Sequence, residues 1–162
     1  PAQQSRLSVY PESYAWATWD RAWEKYDDDL TWANNASVEE LKLIVGTTFG
    51  ALKWKQNFSD ACAQRIDTWA YRWLASMWEH QWLMISPNRN LSTYSGWTDG
   101  THTFRKAHFR EQNLANLPLN LEIEIDNTSD RWLADNIFKE NLIGCASGLC
   151  ASIALGIRRV IK

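Results

Sequence analysis

The stretch from Cys62 to Leu83 constrains the fold most, because it carries the longest run of apolar side chains at helical spacing. These side chains recur at intervals of three and four residues, in one stripe of Trp69, Trp73, Met77 and His80 and a second of Leu74, Trp78 and Trp82. Two adjacent stripes form an apolar arc too wide for a helix that is buried on one side. The sequence therefore predicts a long helix packed on several sides and ended by residues 85–87.

Other elements are predicted on both sides of this stretch. The tryptophan spacing over residues 16–30 predicts a helix. Ser37 and Glu40 have the spacing of a capping box, which predicts a helix from residue 38 to about 45. Alternating apolar and acidic residues at 121–125 predict a half-buried strand. Two more helices are predicted at 49–54 and 131–142, the first followed by a break at 57–60 and the second capped by Ser129 or Asp130.

Composition narrows the class of protein. The 162 residues suit one domain, and eleven tryptophans are far above the usual share. Each tryptophan combines a large apolar area with one N–H donor, which suits either a buried core or an aromatic sugar-binding cleft. A net charge of −2 without a basic stripe argues against nucleic acid as a partner. Three cysteines without metal spacing predict buried free thiols, so a reducing or membrane-associated location is expected.

Few residues have the context of a catalytic group. Three adjacent carboxylates, Asp27 to Asp29, point in different directions on a helix, which favours a solvated helix end over a metal site. Asp67 precedes a tryptophan-rich helix, where it is either an N-terminal cap or a general base. His102, in Thr-His-Thr, is either structural or one ligand of a divalent cation. The sequence has no Gly-x-Ser-x-Gly, phosphate-binding glycine loop or zinc pattern, which argues against hydrolases, kinases and dinucleotide enzymes.

Four motifs in order resemble one family. They are the segment 14–23 (Tyr-Ala-Trp-Ala-Thr-Trp-Asp-Arg-Ala-Trp), the segment 67–73 (Asp-Thr-Trp-Ala-Tyr-Arg-Trp), the segment 87–91 (Pro-Asn-Arg-Asn-Leu) and Thr-His-Thr at 101–103. This order resembles the C-terminal half of GT-A-type glycosyltransferases of the hemolytic-protein-like nucleotide-diphospho-sugar transferase group, over about residues 8–135. Ala15 stands where the family has glycine, and the loop before His102 is one residue shorter.

The resemblance implies an α/β fold, here the mostly helical C-terminal portion of a GT-A domain with few short strands. It implies transfer of a sugar from a nucleotide-sugar donor to a hydroxyl acceptor. The donor-binding half is expected upstream or on another chain, because no Asp-x-Asp lies between a strand and a loop. By resemblance Asp67 is the catalytic base and His102 binds a divalent cation, Mn²⁺ or Mg²⁺. The residues expected to bind substrate are Trp16, Trp19, Trp69, Asn90, Trp97 and Asp99.

The C-terminal segment has a different character. The glycosyltransferase-like domain is expected to span 1–135, followed by a helix or tail over 136–162. Residues 142–157 carry no charge and precede Arg158 and Arg159. Sixteen residues fall short of the ~20 needed to span a bilayer. Residues 142–162 therefore predict either membrane contact or a buried amphipathic helix. The alternative function follows: a non-catalytic, glycosyltransferase-like subunit of a larger, membrane-bound assembly with other protein chains.

Overall fold

The computed structural model describes residues 5–13, 15–88, 91 and 123–147, with only the backbone described at 123–125. These residues form six named helices and three short strands. In chain order they are β1 (Ser5–Ser8), α1 (Asp20–Trp23), α2 (Thr31–Asn35), α3 (Val38–Val45), α4 (Thr48–Cys62), α5 (Trp69–Glu79), β2 (Met84–Pro87), β3 (Ile123–Ile125) and α6 (Asn127–Asn136). Residues 142–147 are also helical. The assignment to the GT-A fold stays a prediction.

The chain divides into two compact units. The first unit comprises Pro1–Leu7 and Ile85–Ile125, and the second comprises Ser8–Met84 and Asp126–Lys162. The first contains a three-stranded sheet in the order β2-β1-β3, in which β1 runs parallel to β3. The predicted strand at 121–125 is confirmed for its described residues, 123–125. The predicted division near residue 135 stays a prediction.

The second unit is built on α4. This helix contacts α2, α3 and α5, and its Trp54 and Phe58 are fully buried. The indole of Trp54 packs edge-on against Tyr71 and Trp78, with ring centroids 5.3 and 5.2 Å away. Aromatic rings therefore form the centre of this core, and part of the tryptophan content has a structural role.

Local capping explains the helix that the sequence predicts best. The Ser37 hydroxyl accepts the Glu40 N–H at 3.1 Å, and the Glu40 carboxylate accepts the Ser37 N–H at 2.8 Å. These bonds lower the pKa of the Glu40 carboxyl below its usual value. The helix ends before Gly46, whose φ of 78° favours glycine. The capping box and the bounds of α3 are confirmed.

Several other predicted bounds are wrong. The break at 57–60 is absent: α4 continues to Cys62, because the buried Asp60 carboxylate accepts bonds from Gln56 and Arg65. The long helix predicted over 62–83 shortens to α5, since Gln64 adopts a φ of 54°. Residues 84–87 form a strand. The cap of α6 is Asp126, which accepts the Thr128 and Ser129 N–H groups, instead of Ser129 or Asp130.

The cysteines also differ from expectation. Cys62 is exposed at the end of α4, so the prediction of a buried thiol is wrong there. Cys145 is half-buried, and its Sγ donates to the Phe49 carbonyl oxygen at 3.0 Å. Burial raises the pKa of this thiol. Cys150 lies outside the described residues.

A buried carboxyl group connects the two chain segments of the second unit. Glu140 is 1% exposed, and its Oε1 accepts the Tyr10 hydroxyl at 2.7 Å and the Trp54 indole N–H at 2.5 Å. Burial raises the pKa of Glu140, although both hydrogen bonds and Arg131 act in the opposite direction. Burial and the Glu140 carboxylate together raise the pKa of Tyr10. The carboxyl therefore satisfies two donors that the aromatic core would otherwise bury without partners.

Gly50 provides the space that this carboxyl occupies. A Cβ at position 50 would meet Glu140 Oε2, and it would lie 2.9 Å from both Thr47 Oγ1 and Val45 Cγ2. Position 50 lies inside a helix, where alanine is normally preferred over glycine by about 0.5–1 kcal/mol. The close approach of Glu140 therefore explains the glycine.

We expect Gly50→Ala to lower the free energy of unfolding by about 1–3 kcal/mol, because overpacking outweighs the gain in helix propensity. Urea unfolding followed by circular dichroism measures the change. In a Glu140→Ala background the main clash is absent, and the same substitution should cost much less. An equal cost in both backgrounds would show that Glu140 does not set the requirement for glycine.

Candidate functional site

The first motif forms an irregular segment that turns one tryptophan towards α5. Ala15 has a φ of 50°, in the left-handed region, and the backbone stays extended at Trp19, the N-cap of α1. The predicted helix over 16–30 is therefore wrong, because only Asp20–Trp23 is helical. Downstream, the Asp27 carboxylate accepts the N–H groups of Asp29 and Thr31 at 2.9 and 2.6 Å. These bonds replace helical ones and hold residues 27–31 as a turn.

The left-handed backbone at Ala15 favours glycine at this position. A left-handed residue with a Cβ costs roughly 1–2 kcal/mol, whereas glycine loses about 0.5–1 kcal/mol more entropy on folding than alanine. We expect Ala15→Gly to stabilise the protein by up to about 1 kcal/mol, measured by thermal unfolding. Ala17→Gly is the matched control, since Ala17 has no positive φ, and it should destabilise. The same change in Tm for both variants would contradict this explanation.

The second motif begins just before α5. Thr68 is the N-cap residue of that helix, with extended backbone and no side-chain capping bond. Asp67 precedes it and is exposed, so Asp67 is not the N-cap residue that the sequence allowed. Within the described part of the chain, no hydrogen bond or ion pair involves the Asp67 carboxylate. This carboxylate stands in solvent at the positive end of an eleven-residue helix.

The two motifs meet through their tryptophans. The ring of Trp16 stacks on that of Trp69, with centroids 5.4 Å apart and planes 19° apart. Both Trp16 and Trp23 also contact Trp73, at 5.5 and 5.4 Å between centroids. We call these four residues, Trp16, Trp23, Trp69 and Trp73, the tryptophan cluster. It joins residues separated by about fifty positions along the chain.

The tryptophan cluster has a buried base and an open surface. Trp73 is 4% exposed, whereas Trp23 and Trp69 are each 44% exposed. Tyr26 extends the surface by stacking on Trp23 at 4.8 Å. Accessible indole rings on a rigid helix suit stacking on the apolar face of a sugar ring. Trp69 thus has an exposed ring and lies close to Asp67 in the sequence.

The third tryptophan predicted for the site is placed differently. Trp19 is 62% exposed, and the guanidinium of Arg21 lies over its ring, 5.3 Å from the centroid. This cation–π contact covers one face of the indole. Trp19 therefore offers one open face at the start of α1, and no ring contact joins it to the tryptophan cluster within the described residues.

Four predicted site residues lie outside the described residues: Asn90, Trp97, Asp99 and His102. Their predicted roles stay predictions, as does the expectation that Asp67 and His102 share a cleft. Part of the third motif is described, and there the Asn88 Oδ1 accepts a bond from Arg6 Nη1 at 3.0 Å. Arg6 is almost fully buried in the first unit. No motif pointed to Arg6, because its partner lies 82 residues away.

The carboxylates of Asp27 and Asp28 have structural roles. Besides the turn made by Asp27, Asp28 pairs with the Arg72 guanidinium at 3.1 Å, and the Asp27 N–H donates to the Ser76 hydroxyl at 2.9 Å. Among the residues that the structure describes, no three His, Cys, Asp or Glu side chains come together as metal ligands. The helix geometry that argued against a metal site at 27–29 is not observed, because these residues lie outside any helix.

An apolar groove of about 190 Å³ adjoins the tryptophan cluster. Its lining residues are Val9, Leu43, Ile44, Trp78, Gln81, Trp82 and Leu83. Trp82 belongs to the groove and also contacts Trp73 of the cluster, with ring centroids 6.3 Å apart. His80 is exposed, and its ring packs on that of Trp82 with centroids 4.7 Å apart. The groove lacks the convergent polar groups of a catalytic site.

Comparisons with protein-family models, with curated proteins and with solved structures gave no match to this chain.

Proposed function

We propose that the tryptophan cluster and Asp67 form the acceptor side of a nucleotide-sugar-dependent glycosyltransferase. The observation that carries the proposal is the stacking of Trp16 on Trp69 at 5.4 Å, which joins the first two motifs. The exposed carboxylate of Asp67 is close to Trp69 in the sequence. The order of the four motifs supports the same assignment. The open face of Trp69 would hold the apolar face of the acceptor sugar.

Asp67 would act as the general base. Its carboxylate would take the proton of the acceptor hydroxyl as the hydroxyl oxygen attacks the anomeric carbon and the bond to the nucleoside diphosphate breaks. The carboxylate is exposed and makes no hydrogen bond or ion pair within the described residues, so its oxygens are open to an acceptor hydroxyl. A divalent cation, with His102 among its ligands, would neutralise the charge on the leaving diphosphate.

Sugar affinity tests this assignment. Trp69→Ala removes the exposed ring, and we expect sugar affinity to fall about three- to tenfold, the value of one aromatic stacking contact. Binding of a panel of monosaccharides to the full chain is measured by saturation-transfer NMR. Trp132→Ala is the matched control, because Trp132 is 57% exposed on α6 and has no ring contact with the cluster. Equal losses in both variants would argue against a sugar site at Trp69.

The exposed rings also suit the second candidate, a non-catalytic subunit. Trp19, Trp23 and Trp69 present large apolar areas, and tryptophan is enriched at the centres of protein interfaces. On this hypothesis the cluster binds a partner chain, and its variants lose that partner without any effect on sugar affinity. The sugar titration therefore separates the two functions.

A further inference from the structure

We propose that the start of the C-terminal apolar segment and the first half of α4 form one surface that binds an anionic lipid membrane. Four exposed apolar side chains carry this proposal. Phe49 and Leu52 are each 45% exposed on α4, and Leu142 and Ile143 are 63% and 81% exposed. We call these four residues the apolar patch. The proposal is independent of the transfer reaction.

Two contacts bring the halves of the apolar patch together. The Cys145 Sγ donates to the Phe49 carbonyl oxygen at 3.0 Å, and the Lys53 ammonium lies 3.4 Å from the Gly144 carbonyl oxygen. Phe49 and Leu52 are three residues apart and share one side of α4. These two contacts therefore hold the helical residues 142–147 beside Phe49. The side chains of Leu142 and Ile143 stay exposed to solvent.

Glycine at position 144 allows this arrangement. A Cβ there would meet the Lys139 carbonyl oxygen and would lie 2.7 Å from the Lys139 Cβ. The first glycine of Gly144-x-x-x-Gly148, a spacing found at contacts between membrane helices, thus already packs against this chain's own backbone. That contact leaves the apolar patch, and not the glycine, available to an external partner.

Charge and sequence favour a lipid surface as the partner. Lys53 and the exposed Lys139 border the apolar patch through their contacts with Gly144. The sequence continues without charge to Ile157 and then has Arg158, Arg159 and Lys162. Apolar side chains flanked by cations are the composition of a surface that lies in the headgroup region of anionic bilayers. Among the residues that the structure describes, no helix is long and apolar enough to cross a membrane.

Vesicle co-sedimentation of the full chain tests the proposal. We expect binding to vesicles of phosphatidylcholine and phosphatidylserine in equal parts, and much weaker binding to phosphatidylcholine alone. Ile143→Glu should weaken binding at least about tenfold, because the substitution removes an apolar side chain from the lipid contact and sets a carboxylate against anionic headgroups. Leu142→Glu should act in the same direction. Leu43→Glu is the matched control, since Leu43 is 87% exposed on α3, where it lines the apolar groove and is not part of the apolar patch.

Three outcomes would overturn the proposal. They are absence of binding to the anionic vesicles, equal binding to neutral and anionic vesicles, and equal losses for Ile143→Glu and Leu43→Glu. Analytical ultracentrifugation of the same variants identifies the competing occupant. A dimer that Ile143→Glu dissociates, in a protein that does not bind vesicles, would assign the apolar patch to a second copy of the chain. Circular dichroism of each variant verifies that the fold is unchanged.

Discussion

Glu140→Ala is expected to lower the free energy of unfolding by about 2–5 kcal/mol. The substitution leaves the Tyr10 hydroxyl and the Trp54 indole N–H without their acceptor, and each unsatisfied buried donor costs about 1–3 kcal/mol. A cavity in the aromatic core adds to the loss. Removing the buried carboxyl also removes part of the cost of its desolvation. The total loss in the free energy of unfolding is therefore smaller than the sum of the separate losses. Urea unfolding at neutral pH measures the effect.

Glu140→Gln is the matched control for this substitution. Glutamine keeps an oxygen in the place of Oε1, so both donors retain an acceptor, and we expect a much smaller loss of stability than with alanine. If glutamine and alanine were equally destabilising, the two hydrogen bonds would not explain the requirement for Glu140.

A comparison of the wild type with Glu140→Gln also tests how stability depends on pH. Burial raises the pKa of Glu140 in the folded state above its unfolded value of 4.5, so the folded protein holds the extra proton between the two pKa values. The contribution of Glu140 to stability is therefore fully present below pH 4.5 and is lost as the pH rises through the folded pKa. The stability of the wild type relative to Glu140→Gln should decline over that window. A constant difference would contradict the raised pKa.

Asp67→Asn is expected to lower the turnover of sugar transfer by about 10²–10⁴-fold, the usual contribution of a general base. Asparagine has nearly the same shape but cannot take a proton from the acceptor hydroxyl. If the tryptophan cluster binds the acceptor, as proposed, acceptor affinity should change little, and the loss should appear in kcat more than in KM. The rate of nucleoside diphosphate release is measured on protein isolated from its source, with a panel of nucleotide sugars and acceptors.

Asp29→Asn provides the control for Asp67→Asn. Asp29 is an exposed carboxylate of the same unit, and its backbone N–H, not its side chain, makes the turn with Asp27. We expect its turnover to match the wild type. Unchanged turnover in Asp67→Asn would remove Asp67 from the chemistry, while equal losses in both variants would indicate a general effect of surface charge.

The sequence predicts well those features that neighbouring residues decide. The capping box of Ser37 and Glu40 closes within one helical turn, so its spacing alone identifies the start of α3. The strand at 123–125 follows from alternation over a few residues. By contrast, the end of α4 depends on Arg65 reaching back to Asp60, and the predicted helix at 16–30 is broken by the Asp27 side chain. In both places, side-chain hydrogen bonds that the apolar pattern does not show decide where the helix ends.

For the same reason, the sequence predicts only part of the candidate site. The spacing in 67–73 places Trp69 and Trp73 on one side of a helix, but nothing in it indicates that Trp16 stacks on Trp69. Likewise, Glu140 and Tyr10 are 130 residues apart, and no local pattern marks either as a partner. Contacts of this length arise from the packing of whole helices.

The central claim is that the ring of Trp69, held against Trp16, binds a sugar. The most direct measurement is a two-dimensional NMR titration of the full chain with the best-binding monosaccharide, following the eleven indole N–H signals. The account predicts that the signals of Trp16 and Trp69 shift with a common affinity. Those of the buried Trp54 and of Trp132, which has no ring contact with the cluster, should stay in place. Shifts confined to tryptophans other than Trp16 and Trp69, or no shifts at any sugar concentration, would contradict it.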